Sequence, residues 1–180
     1  SDGDSYRGRL GYRVAFAGDV DGDEKSDLLI SAYDWKRSDG HRVGAVFLVL
    51  AADLNLEDAE QVLDMSAASY TFLGEERDRQ LGYQIASAGD IDGDDLADIM
   101  ILETAVRRVH IFLGASLGTG TNLYPSESDY VISGDGNFGL TMASAGDIDG
   151  DGFDDIIIGD SHDDTSGPNA GAAFVFLGKN

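Results

Sequence analysis

Along this chain apolar and polar positions alternate in short bursts rather than in helical stripes. One burst carries Tyr12, Val14 and Phe16, a second Tyr83, Ile85 and Ser87, and a third Leu140, Met142 and Ser144. Small residues stand between them: Ala15 and Ala17, Ala86 and Ala88, Ala143 and Ala145. A period of two predicts strands, and the small residues predict one face that is closely approached. Each burst leads into an aspartate-rich turn and then an apolar run (28–30, 99–102, 156–158) suited to a buried strand. Third strands are predicted at 45–50, 109–113 and 173–177, and fourth strands at 69–73 and 130–133. The stretch 54–63 (LNLEDAEQVL) predicts a turn or two of helix inside a loop.

These bursts are copies of one unit. LGYRVAFAGDVDGDEKSDLLI from Leu10, LGYQIASAGDIDGDDLADIMI from Leu81 and FGLTMASAGDIDGDGFDDIII from Phe138 align without gaps, 71 and 57 residues apart. Four short antiparallel strands repeated at that interval predict an all-β fold of β-propeller blades. The blades are expected at 10–74, 81–134 and 138–178, within one partial propeller spanning 1–180. The third copy has no outer strand, and the run SDGDSY at the N-terminus has no apolar alternation to supply one. Propellers close with roughly four to eight blades. Three would leave strand edges bare, so the ring is expected to be completed by a longer chain or by homo-oligomerisation.

Composition narrows the function. With 12 Lys plus Arg against 34 Asp plus Glu the net charge is −22, so no basic face is available for nucleic acid. Cysteine is absent, which removes disulfides, zinc thiolates and thiol catalysis. The longest strongly apolar stretch (43–52) is about half a membrane span, so no transmembrane segment is expected.

The candidate chemistry is Asp-x-Asp-x-Asp-x-x-x-Asp. It occurs as Asp19, Asp21, Asp23 and Asp27; as Asp90, Asp92, Asp94 and Asp98; and as Asp147, Asp149, Asp151 and Asp155. Alternate carboxylates in a tight turn converge on one point, and hard oxygen ligands at that density select calcium or, less well, magnesium. The backbone carbonyl at the seventh position (Lys25, Leu96, Phe153) is expected to complete each shell, giving three Ca2+ sites. An EF-hand requires a bidentate Glu at position twelve between helices, and Ile30, Ile101 and Ile158 stand there. The metal's role reads as structural, because no nucleophile or general base accompanies it. Extracellular calcium modules work at about 10⁻⁴–10⁻³ M, which points to a secreted or cell-surface location. The lack of cysteine then favours a bacterial source.

The repeats resemble FG-GAP repeats, the blades of the integrin α-subunit β-propeller that also occur in bacterial surface proteins. Leu10-Gly11, Leu81-Gly82 and Phe138-Gly139 match the FG element, only the last with Phe. The GAP element is degenerate (Ser31-Ala32-Tyr33, Glu103-Thr104-Ala105, Gly159-Asp160-Ser161), while GAV is kept at Gly44-Ala45-Val46 and as Gly171-Ala172-Ala173. The resemblance covers roughly 10–178. It implies that the aspartate loops join the first two strands of each blade and hold calcium. The sixth loop position, where that family favours Gly, holds Gly152 but also Glu24 and Asp95. If the backbone there is left-handed, Glu24 is penalised most and the first site is the weakest.

Other motifs weigh less. Gly114–Ser116 through Gly118 spells a nucleophile elbow, but TGTNLYPS after it cannot supply the required helix. Ser161, His162 and Asp163 are adjacent, and neighbours in sequence rarely face one another as a triad. His41 and His110 read as a loop and a strand residue, and there is no Arg-Gly-Asp. No enzyme is expected. The scarce cations gather in loops on the face opposite the calcium turns: Lys36, Arg37, Arg42, Arg77, Arg79 and Arg107, beside the sole Trp, Trp35. In the integrin relatives that face binds the partner, so a protein or glycan ligand is expected at Trp35, Arg37, Arg42, Arg77, Arg79 and Arg107. The leading expectation is a calcium-binding adhesion or recognition module. The alternative is an accessory carbohydrate-binding module of a secreted polysaccharide-active enzyme, which needs exposed rings such as Trp35, Tyr33 or Tyr124.

Overall fold

The computed structural model describes residues 8–55, 62–63, 65–118 and 120–179, and places three sheets in succession along the chain. The first holds β1 (Val14–Gly18), β2 (Asp27–Ala32), β3 (Ala45–Val49) and β4 (Tyr70–Leu73), each antiparallel to the next. The second begins with β5 (Leu81–Gly89), β6 (Asp98–Glu103) and β7 (Arg108–Phe112). After β7 a two-residue strand, β8 (Asn122–Leu123), leaves to pair in parallel with β4. The chain then returns as β9 (Tyr130–Ser133), the outer strand of the second sheet. The third sheet is β10 (Thr141–Gly146), β11 (Asp155–Asp160) and β12 (Ala172–Phe176).

This is the propeller-blade arrangement expected from the repeats, with the outer strand absent from the third sheet among the described residues. The crossing of β8 into the first sheet was not legible in the pattern, since two residues carry no period. Of the helix expected at 54–63, residues 56–61 lie outside the described ones. The flanks are short 3₁₀ turns at Ala51–Asp53 and Met65–Ala67.

The apolar runs are continuous because the sheets are sandwiched. Along β6, Ile99 and Ile101 face the first sheet while Met100 and Leu102 face the third. One seam packs Leu29, Val46, Leu48 and Phe72 against Leu81, Ile99, Ile101 and Phe112, and the Phe72 and Phe112 rings lie 4.7 Å apart. The next packs Met100, Leu102, Val109 and Ile111 against Phe138, Met142, Ile156 and Ile158. Full burial stabilises each such side chain by about 1.5–3 kcal/mol. The inner strands crowd together, β5 lying between β1 and β10, which is what the alanines at 17 and 88, both fully buried, permit.

The FG element has a packing reason. Leu81 and Phe138 plug into the seam behind them, both buried. The glycine that follows each has left-handed φ (86° at Gly82, 80° at Gly139). A Cβ on Gly82 would come within 2.6 Å of Val46, and one on Gly139 within 2.8 Å of Leu102. The turn from plug to strand therefore runs directly against the preceding sheet.

Candidate metal centres

Each aspartate loop joins the first two strands of its sheet and starts from the same irregularity. The β1–β2, β5–β6 and β10–β11 ladders all shift register at the glycine before the loop, Gly18, Gly89 and Gly146. A bulge of this kind bends the strand and re-aims the residues after it. The first aspartate then organises the turn. Asp19 Oδ1 accepts from Gly22 N–H (2.7 Å) and Asp23 N–H (3.1 Å), and its Oδ2 accepts from Glu24 N–H (2.7 Å). Asp90 repeats this with Gly93, Asp94 and Asp95, and Asp147 with Gly150, Asp151 and Gly152. At the fifth position Asp23, Asp94 and Asp151 accept the N–H of Lys25, Leu96 and Phe153 at 2.9–3.0 Å.

The carboxylates converge in three triplets: Asp19, Asp21 and Asp27; Asp90, Asp92 and Asp94; Asp147, Asp149 and Asp155. Within each triplet the candidate ligand oxygens lie within 4.8 Å of one another. Asp23, Asp98 and Asp151 stand outside them, yet across the copies every one of the four loop positions contributes to at least one triplet. At that spacing, and at an effective dielectric of about 20, two carboxylates repel by about 4 kcal/mol. Burial first and the neighbouring Asp94 and Asp90 next push the Asp92 carboxyl above its ordinary range. Asp149 is raised in the same way, by burial and then Asp151. Asp92 Oδ1 is moreover buried with no hydrogen-bond partner. An orphaned, desolvated carboxylate oxygen among like charges fits a hard cation and little else.

The ninth aspartate has a second task that the spacing did not reveal. Asp98 is fully buried, its Oδ2 accepting Ile91 N–H and its Oδ1 accepting Gly114 N–H, both at 2.9 Å. Asp27 binds Val20 and Ala51 in the same manner, and Asp155 binds Ile148 and Gly178. Each carboxylate thus latches its loop to the end of the third strand. Burial pushes the Asp98 carboxyl up to about 7, against the pull of those two amides. Neighbouring loops are also chained: Ala97 N–H donates to Asp19 O (2.7 Å) and Asp154 N–H to Asp90 O (2.8 Å).

The left-handed expectation at the sixth position is met, with φ of 66° at Glu24, 69° at Asp95 and 98° at Gly152. In the first loop Lys25 Nζ also lies 2.8 Å from Asp23 Oδ2, so an ammonium occupies a prospective ligand.

At the opposite ends of the strands, the other candidate residues are held in local pairs. Arg37 contacts Asp39 and the Glu75 carbonyl, Arg42 lies 3.4 Å from Asp34, and Arg77 pairs with Asp78. Arg79 reaches Glu76 and lies 3.7 Å from Glu103, while Arg107 binds the Gly136 and Thr104 carbonyls. Trp35 is half-buried, edge-on to Phe47 at 5.4 Å. Tyr33 is 8% exposed in a cluster with Tyr12 and Tyr83, whereas Tyr124 is exposed. Ser116 Oγ donates to Asp129, and Asp163 is bound to Thr165 N–H rather than to His162. One polar cluster escaped the sequence reading. His110 is buried between Glu103 Oε2 (3.4 Å) and Ser128 Oγ (3.1 Å), and the Ser128 hydroxyl donates to Pro125 O.

Comparison with known proteins agrees with this architecture. The family described as FG-GAP-like repeat matches residues 90–158. Integrin alpha-PS3 of Drosophila melanogaster is 27% identical over 97% of the chain. Integrin alpha-IIb is 30% identical in Homo sapiens and 32% in Mus musculus, each over 87% of the chain. The chain spans about 15% of the length of these relatives. Three copies of one bulge-and-carboxylate loop, set between the first two strands of consecutive sheets, give this chain FG-GAP-like repeats that are similar in sequence to integrin α subunits and folded as β-propeller blades.

Proposed function

We propose that this chain is a calcium-binding, non-catalytic recognition module that serves extracellular adhesion or binding of a protein ligand. The observation that carries the reading is the recurrence of the carboxylate triplet in three loops, with Asp92 Oδ1 buried and unpartnered. Calcium would bind the three aspartate triplets, relieve their repulsion and pin each loop between two strands. Its task here is structural. Working affinities near millimolar calcium suit a secreted or cell-surface protein, and the cysteine-free composition suits a bacterial one. No helix among the described residues is long and apolar enough to cross a membrane.

The ligand face is proposed at Trp35, Arg37, Arg42, Arg77, Arg79 and Arg107. Its loops are tied to one another by Asp78 N–H to Arg42 O and Ala105 N–H to Arg79 O, which supports a single surface. A glycan-binding reading has less support, because Tyr33 is buried and Trp35 is packed against Phe47. Calorimetric titration with calcium tests the metal reading: saturable binding to three sites is expected, and heats no larger than those with magnesium or buffer would reject it. Replacing Arg37 and Arg77, both in exposed pairs, by Ala should weaken partner binding with little change in Tm, and unchanged binding would reject the face.

A further inference from the structure

Between the loop that joins β4 to β5 and the second sheet lies a polar pocket of about 310 Å³. Its lining includes Glu103 and His110, which are only 2% and 4% exposed. The hydrogen bonds around His110 fix where its protons stand. Pro125 O can only accept, so the Ser128 hydroxyl gives it its one proton, at 2.8 Å. Ser128 Oγ must then accept from His110 Nδ1, 3.1 Å away, which places an N–H on Nδ1. A neutral imidazole with that tautomer would aim its Nε2 lone pair at Glu103 Oε2, 3.4 Å away. Two acceptors facing each other in the interior repel, so the contact requires a proton between them. Imidazole is the stronger base of the two, so the pair is an imidazolium beside a carboxylate, neutral as a whole.

The nearest cation is placed accordingly. Arg79 holds the exposed Glu76 through Nη2, while its Nη1 stops 3.7 Å from Glu103 Oε2. The loop that carries it is loosely seated on the second sheet. Ala105 N–H reaches Arg79 O at 3.2 Å and Thr104 N–H reaches Gln80 O only at 3.5 Å. Asp78 and Gln80 adopt left-handed φ of 59° and 55°, which side chains other than glycine rarely take. If the proton leaves, Glu103 becomes a buried charge without a partner, a strongly unfavourable state. Arg79 is the cation best placed to correct it. Arg108 also lines the pocket but is exposed, and Glu75 is held by the Ser126 N–H and hydroxyl, both at 2.8 Å. His41 and His162 lie outside the pocket.

We infer that His110 and Glu103 form a proton-controlled strap for this loop. While the pair keeps its proton, Arg79 serves Glu76 at the rim. When the pair loses it, Arg79 swings to Glu103 and draws the loop onto the second sheet. The seated form binds one proton fewer, so it gains as pH rises, by about tenfold per pH unit wherever only the loose form keeps the proton. The inference needs neither calcium nor a ligand. Nitrogen-15 NMR of the whole chain from about pH 5 to about pH 8.5 tests it. The His110 ring should carry two N–H groups at the acid end and only Nδ1–H at the alkaline end. Over the same interval the protection factor of the Ala105 amide, corrected for intrinsic exchange, should rise about tenfold or more. Glu103→Gln should hold that protection constant with pH. Glu76→Gln, a change at an exposed side chain, frees Arg79 and should raise Ala105 protection already at the acid end. Both variants keep Asp98, so a pH effect arising in the aspartate loops would persist in them. Ala105 protection that ignores the His110 titration, or that rises equally in Glu103→Gln, would overturn the inference. So would a His110 ring whose proton count stays the same across the interval.

Discussion

At the scale of single residues, the first loop carries two handicaps that the third loop lacks, the second loop sharing one of them at Asp95 (φ 69°), a residue type that tolerates the left-handed region better than Glu. Glu24 adopts φ 66°, where a side chain costs about 1–2 kcal/mol that glycine avoids. Glu24→Gly should therefore raise stability by about 1 kcal/mol and tighten calcium at the first of the proposed sites, as read by Tm and calorimetry together. Lys25 adds the second handicap by holding Asp23 with its ammonium. Its opposite is Gly93 in the second loop, where φ is 78° and a Cβ would lie 2.4 Å from the Phe153 ring of the third loop. Gly93→Ala should lower Tm by several degrees through both strain and collision, and Phe153→Ala should recover part of that loss.

Among elements, the decisive device is the ninth-position aspartate that ties loop to strand. Asp98→Ala leaves the Ile91 and Gly114 amides without their acceptor and should cost at least about 2 kcal/mol in calcium-loaded protein, measured by urea unfolding. The same carboxyl sets a pH dependence once metal is chelated. Its folded value of about 7 lies above the unfolded value of about 3.9, so the folded state binds the extra proton between them. Its contribution to the stability of the EDTA-treated protein should then be fully present below about pH 4 and be lost as pH rises through 7. Asp27, Asp92 and Asp149 are shifted upward too and act with the same sign. Calcium favours the ionised carboxylates and should flatten the slope; an equal slope with and without calcium would reject the cage.

For the whole molecule the balance is between apolar seams and accumulated negative charge. Three divalent ions would bring six positive charges and move the net charge from −22 to −16. Chelation should accordingly lower Tm, and added salt should restore part of the loss by screening exposed carboxylates. Among the described residues the outer faces carry exposed apolar side chains: Val14 and Phe16 on the first sheet are each 71% exposed, and Val175 on the third is 48% exposed. Such faces suit further blades or a second copy. Light scattering near twice 19.1 kDa would assign them to a second copy, and a monomer would leave them to further blades of a longer chain.

Much of this was legible in one dimension. Period-two alternation fixed the strands, and the repeat at 71 and 57 residues showed that the strands form successive equivalent sheets. The aspartate spacing located the loops, because residues two apart in a tight turn must converge on a common point. What spacing cannot encode is which partner lies across a seam. Only the folded chain decided that Asp98 caps both its own loop and the strand after next, that Glu103 and His110 meet in the interior, and that Leu123 crosses to β4. Those contacts cross from strand to strand or from sheet to sheet, so the pairing and packing of the sheets select them, whereas the local pattern selects the strands and turns themselves.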